Sequence, residues 1–147
     1  MNTANPSPIL VSDTGPLVAY ANSNDTYHFE SLELFDEYPG HVVIPSLVAT
    51  EVCYLLQKRV GVDAEIAFIR SIVDGAITVL ELEEADWRRV LELCQQYKSL
   101  ALGVVDASVI AIAERLKVSD IATINGRDFR AVRPKHIDSF RLLPLDA

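Results

Sequence analysis

Three acids in this sequence stand where acids are costly. Asp13 ends the apolar run Ile9-Leu10-Val11-Ser12, and Thr14, Gly15 and Pro16 follow it. Glu51 comes three residues after Val48 and four before Leu55, on or beside the apolar stripe of a helix. Asp106 opens Asp106-Ala-Ser-Val-Ile-Ala after the apolar Leu102-Gly-Val-Val, four residues before Ile110. Each acid also has a plainer use. Asp13 and Asp106 can cap the helices they precede, and Glu51 can reach past its stripe to solvent. A further polar group, Asn125 with Asp128, follows the apolar stretch 121–124, where either side chain can lie in a loop or reach back over a sheet edge. If these groups converge, they cannot all stay charged in a dry site. A hard divalent cation, Mg²⁺ or Mn²⁺, resolves that with oxygen ligands. It can make a nucleophile of bound water and stabilise a phosphoryl transition state.

Other chemistries fit less well. Asp13-Thr14-Gly15 is also the aspartic-protease tripeptide, which needs two such acids sharing a proton. That likeness stops at three residues, and a proline entering a helix does not suit an all-β fold. A phosphohydrolase-type aspartyl nucleophile usually has a second Asp two residues on, where Gly15 stands. His28, His41 and His136 show no pairing that supports histidine acid–base chemistry and read as surface residues. Cys53 and Cys94 lack metal-type spacing and read as core residues of a reduced, cytoplasmic protein.

The elements that must position these groups alternate between strand and helix. Strands are expected at 9–12, 42–44, 77–80, 121–124 and, shorter, 140–143. The first helix starts near Gly15 and runs to Ala21. The next carries Phe29, Leu32 and Phe35 inward. A third starts at Pro45-Ser46, with Ser46 as its cap and Val48, Val52 and Leu55 as its buried stripe, and Gly61 ends it. Helices at 63–73 and 83–97 present Ile66, Ile69 and Ile72/Val73, then Trp87, Val90, Leu91 and Cys94. The helix 104–116 is apolar nearly all round. This order on short connections predicts an α/β fold, a mostly parallel sheet of about five strands covered on both faces. The 147 residues read as a single domain, with 1–8 a loose polar tail that lacks the features of a secretory signal. No apolar run approaches a membrane span. A formal charge of −8 excludes a generic polyanion binder but not local action on nucleic acid.

Taken together, Ile9-Leu-Val-Ser-Asp13-Thr14, Pro45-Ser-Leu-Val-Ala-Thr-Glu51-Val, Gly103-Val-Val-Asp106-Ala-Ser-Val-Ile-Ala-Ile-Ala-Glu114-Arg115-Leu and Ile121-Ala-Thr-Ile-Asn125-Gly-Arg-Asp128-Phe129 resemble the PIN-domain ribonucleases, specifically the toxin half of VapBC-type toxin–antitoxin pairs. The resemblance covers the chain from about residue 9 onward. It implies a Rossmann-like PIN fold, Mg²⁺- or Mn²⁺-dependent cleavage of RNA, homodimerisation and silencing by a small antitoxin protein. By position, Asp13, Glu51 and Asp106 match the family's first three acids, as metal ligands that orient the attacking water. The family's fourth acid is replaced by Asn125, whose amide oxygen coordinates more weakly, and Asp128 is the candidate to restore the charge. Thr14 and Thr123 match hydroxyl positions that touch metal-bound water or phosphate. The alternative that Asn125 best supports is a PIN-fold module that binds RNA or protein after losing metal chemistry.

After Asp106 the chain turns basic, with Arg115, Lys117, Arg127, Arg130, Arg133, Lys135 and Arg141. Arg127 and Arg130 lie in the densest part. This is a phosphate-contacting face, a solvated loop or a dock for an acidic antitoxin tail.

Overall fold

Strands β1 (Ile9–Ser12), β2 (His41–Pro45), β3 (Ile77–Leu80), β4 (Asp120–Thr123) and β5 (Arg141–Pro144) lie in the order β3-β2-β1-β4-β5. Every pairing is parallel, with Val11 set between Val43 and Ile121. The helices are α1 (Thr14–Ala21), α2 (His28–Glu37), α3 (Ser46–Arg59), α4 (Val62–Val73), α5 (Glu84–Gln96), α6 (Val104–Leu116) and α7 (Gly126–Ala131). The computed structural model describes residues 7–147. The expected tail 1–8 therefore lies mostly outside the described residues. Its last member, Pro8, is tied down, because its carbonyl accepts the His41 N–H at 2.9 Å.

β1 and β4 are neighbours, and the chain leaves this pair in opposite directions, through β2 to β3 on one side and to β5 on the other. That reversal makes the crevice beyond the carboxyl ends of β1 and β4 the topological switch point of an open parallel sheet, where ligands bind. Behind it, α6 is buried continuously from Ala107 to Ala113. Its three alanines let it lie close to the strands, which explains why the sequence is apolar on all sides.

Several expected faces are rotated. In α3 the buried stripe is Val48, Val52 and Leu56, with Leu55 only half-buried. Pro45 holds the N-cap position, so Ser46 is the first helical residue and caps nothing. Phe29 in α2 is 77% exposed, and Ser31 takes the innermost position. α4 packs against α3 and β3 at the rim of the fold, so it buries Phe68 and leaves Ile66, Ile69 and Val73 outside. α5 turns Val90 and Leu93 inward, while Trp87 and Leu91 face out. Cys53 and Cys94 are free thiols, half-buried rather than in the deep core. No helix among the described residues is long and apolar enough to cross a membrane.

One buried ion pair locks α5 to α6. Arg89 Nε donates to Glu114 Oε1 at 2.7 Å and Arg89 Nη2 to Glu114 Oε2 at 3.0 Å. The side chains are only 11% and 9% exposed. Removing Glu114 leaves the Arg89 guanidinium only the longer pair with the exposed Glu92, at 3.4 Å, which places the cost at the lower end of the about 3–5 kcal/mol of broken buried pairs. Glu114→Ala is therefore expected to lower the stability of the chain by about that amount. Glu84→Ala, which breaks the exposed pair with Arg88, should cost under about 1 kcal/mol. Chemical denaturation of both variants checks this.

Candidate functional site

Asp13 is the first residue beyond β1. Its extended backbone, at φ −76° and ψ 173°, occupies the N-cap position of α1, yet its side chain makes no capping hydrogen bond. The carboxylate is therefore free for another use. Its main-chain N–H donates to the Ala122 carbonyl at 2.8 Å, which fastens the end of β1 to β4. The side chain is 6% exposed, and its Oδ2 accepts the Thr123 hydroxyl at 3.0 Å. Thr123 closes β4, is fully buried, and in turn accepts the Asn125 N–H at 2.9 Å. Thr123 thus holds an acid in place and is not available to touch a substrate. The neighbouring Thr14 Oγ1 is buried and has no hydrogen-bond partner among the described residues.

Asp106 comes from the first turn of α6 and is half-buried. Its Oδ2 accepts from the Asn125 amide nitrogen at 3.3 Å, and the same nitrogen donates to Asp128 Oδ2 at 2.9 Å. Asn125 is the N-cap of α7, its Oδ1 accepting the Asp128 N–H at 3.5 Å. The sequence signal for α7 was present as Asn with Asp three residues later, a capping pattern at the head of a short helix. Asp13, Thr123, Asn125, Asp106 and Asp128 thus form one linked set. Glu51, half-buried on α3, adds its charge to Asp13 and Asp106.

The electrostatics express this crowding. Burial raises Asp106 first, the charges of Asp13 and Asp128 next, and a hydrogen bond with Asp13 and the charge of Glu51 add to it, to about 7. Asp13 is also raised, chiefly by burial, against hydrogen bonds from the Thr14 backbone and Thr123. Both carboxyls of this pair are thus pushed toward their protonated forms, by burial first and by the charge of neighbouring acids next. Among the described residues no Lys or Arg forms an ion pair with Asp13, Glu51, Asp106 or Asp128. No group of three or more His, Cys, Asp or Glu side chains among them is arranged to hold a metal ion as the chain stands. The donor set nevertheless suits a hard cation. It consists of carboxylate oxygens with no internal counter-charge, beside a buried hydroxyl lacking a partner.

The basic segment is largely consumed by the fold. Arg115 pairs with Glu83 and Asp86, Arg130 with Asp146, Lys135 with Glu92, and Arg141 with Asp120. Arg130, expected near substrate, is held by the Asp146 carboxylate at 2.6 Å. Arg127, exposed on α7 beside Asp128, forms no ion pair among the described residues. His28 and His136 are half-buried rather than superficial, each hydrogen-bonded to a main-chain carbonyl, of Ala19 and Val118. Away from the acids, an apolar groove of about 490 Å³ between α1, α2, α3 and α4 is lined by Leu17, Tyr20, Phe35, Leu56 and Phe68.

The PIN domain family model matches residues 10–134. Ribonuclease VapC26 of Mycobacterium tuberculosis is 30% identical over 135 residues, 92% of this chain and 100% of that protein. Among solved structures, Mycobacterium tuberculosis VapC20, a toxin that cleaves the sarcin-ricin loop, superposes with a TM-score of 0.77 at 19% identity, covering 88% of this chain and 98% of that one. A toxin–antitoxin complex from Klebsiella pneumoniae gives 0.66 at 19% identity, over 84% and 92% of the two chains. At these identities the two structures show a shared fold.

A carboxyl whose pKa rises on folding binds its proton more tightly in the folded state. Its contribution is fully present below the unfolded pKa of 3.8 and is lost as pH climbs through about 7. In EDTA, Asp106→Asn is therefore expected to gain stability relative to the wild type across that window. Thermal melts of the two proteins as a function of pH check the sign; a difference that does not grow with pH refutes the crowded arrangement.

Proposed function

The chain belongs to the PIN-domain family, and from that we propose that it is a divalent-metal-dependent endoribonuclease, the toxin of a VapBC-type pair. One observation carries the chemistry. Asp13 and Asp106 lie beside the switch point of the sheet and feel the charge of Glu51, and among the described residues no Lys or Arg forms an ion pair with any of the three. A module that had given up metal chemistry has no use for this uncompensated charge.

Asp13, Glu51 and Asp106 are the residues that would hold Mg²⁺ or Mn²⁺, with Asp128 adding charge from α7. Bound there, the ion supplies a water of lowered pKa and neutralises charge on the phosphoryl oxygens. The rest falls to the side chains. Thr123 fixes the rotamer of Asp13. Asp106, raised by burial and by its acidic neighbours, is a carboxyl that a nearby cation would favour in its charged form. Glu51, the more open acid, orients the attacking water in line with the scissile phosphodiester. The Arg127 guanidinium contacts phosphate, being exposed and free of an ion pair among the described residues, whereas the buried Thr14 Oγ1 lies too deep for that role. The products implied by the family resemblance carry a 5′-phosphate and a 3′-hydroxyl.

Partners follow the same reading. A small antitoxin protein silences the toxin, and the apolar groove beside α4, with Ile66, Ile69 and Val73 exposed on that helix, offers surface for a protein contact. The active form is a homodimer in the cytoplasm, a compartment that suits the two free thiols.

Purified, antitoxin-free protein is expected to cut RNA in Mg²⁺ or Mn²⁺ and to stop in EDTA. Asp13→Asn and Asp106→Asn should abolish cleavage with unchanged circular dichroism. A wild type that cuts nothing, or that cuts in EDTA, refutes the proposal. For Arg127→Ala, RNA binding should weaken and its logarithmic salt slope fall by about 1, the signature of one lost phosphate contact. Binding isotherms at several salt concentrations measure this, with Arg130→Ala expected to leave the slope unchanged.

A further inference from the structure

We propose that Asn125 is a positioning residue that sets the geometry of the acids as a neutral hydrogen-bond donor, rather than a ligand offering its amide oxygen to the cation. The inference deepens the nuclease reading and rests on it for the use of the site. Asn125 bonds Asp106 and Asp128 directly and reaches Asp13 through Thr123. Its main-chain N–H holds Thr123 Oγ1 at 2.9 Å, and Thr123 holds Asp13 at 3.0 Å. Its amide nitrogen lies 3.3 Å from Asp106 Oδ2 and 2.9 Å from Asp128 Oδ2.

The orientation of the amide follows from its neighbours. One end faces a carboxyl oxygen of Asp106 and one of Asp128; the other faces the Asp128 N–H, which only donates and so requires the amide oxygen there. Turning the amide over would set an oxygen against two carboxylates and an NH₂ against an N–H. The donors therefore point at the acids, and the oxygen is engaged with the helix it caps. An Asp at this position lacks both donors and adds a further negative charge beside Asp106 and Asp128. The neutral amide bridges two acids that repel each other, and keeps both in reach of one ion.

The role separates cleanly from helix capping. Serine also caps well, so Asn125→Ser keeps an acceptor for the Asp128 N–H while losing both bonds to the carboxylates. Asn125→Asp keeps the acceptor and substitutes a carboxylate for the donors. The test is calorimetric titration of Mn²⁺ into the full chain without RNA, beside metal-free thermal melts and RNA-cleavage kinetics. Residues that orient metal ligands typically contribute 10–100-fold in metal affinity. Asn125→Ser is expected to lose about tenfold or more in Mn²⁺ affinity while its metal-free melt stays near that of the wild type. Its kcat should fall with little change in KM. Asn125→Asp is expected to bind Mn²⁺ no more tightly than the wild type despite its added charge.

Tighter Mn²⁺ binding by Asn125→Asp makes position 125 a ligand and overturns the proposal. Wild-type Mn²⁺ affinity in Asn125→Ser overturns it as well, leaving only the cap. Should Asn125→Asp fail to fold, the serine variant decides alone. A wild type that binds Mn²⁺ but cuts no RNA refutes the nuclease reading while leaving the affinity series valid; a wild type that binds no Mn²⁺ overturns both.

Discussion

Burial and like charge raise both Asp13 and Asp106, with Glu51 adding its charge to each and Asp128 to Asp106. This repulsion is the constraint around which the chain is arranged. It cannot be relieved by moving the acids apart, because each is anchored by a different rigid element. Asp13 is fixed by a main-chain bond across β1 and β4, Asp106 by the turn of α6 that leads into its buried run from Ala107, and Asp128 by the capped turn of α7. It is not relieved by an internal cation either. What the chain provides is hydrogen-bond donors without charge, namely Thr123 and Asn125. The site holds unfavourable electrostatic energy that the fold itself leaves in place.

Such a site needs a stiff frame. The parallel sheet supplies one, since strands buried on both faces tolerate little displacement. α6 lies along it with seven consecutive buried residues, and the pair of Arg89 with Glu114 fastens its far end to α5. Glu114 Oε2 also accepts the Lys135 N–H at 2.8 Å, tying in the segment that leads to β5. At the opposite edge of the sheet, Asp120 accepts both Arg141 and the Tyr38 hydroxyl. The Arg141 guanidinium holds its carboxyl below the usual carboxylate range. Acids at that end are balanced by cations of the chain; acids at the switch point are not. The contrast within one sheet marks which end is built for a ligand.

The basic character of the second half of the chain divides in the same way. Arg115, Arg130, Lys135 and Arg141 serve the fold, each facing an acid that is distant in sequence. Arg127 does not, and it lies in the same helix as Asp128. A run of cations looks uniform in one dimension. Whether each meets an acid depends on which strands and helices the topology sets side by side.

The alternation of strand and helix, the parallel sheet and the positions of Asp13, Glu51 and Asp106 on buried frames were legible in the sequence, because apolar periodicity is a local property of the chain. Inward faces were less so. Phe29 and Ile66 have the spacing of core residues but lie on helices at the rim, and nothing local reports what a helix will pack against. The site followed the same division. Its acids, its oxygen-donor chemistry and the family resemblance came from residue type and order. That Thr123 holds Asp13 across 110 positions, and that the amide of Asn125 turns its nitrogen to Asp106 and Asp128, came only with the fold. Residue type states what a side chain can donate or accept. Only the tertiary structure brings its partners within 3 Å or so of it, and so decides which bond is made.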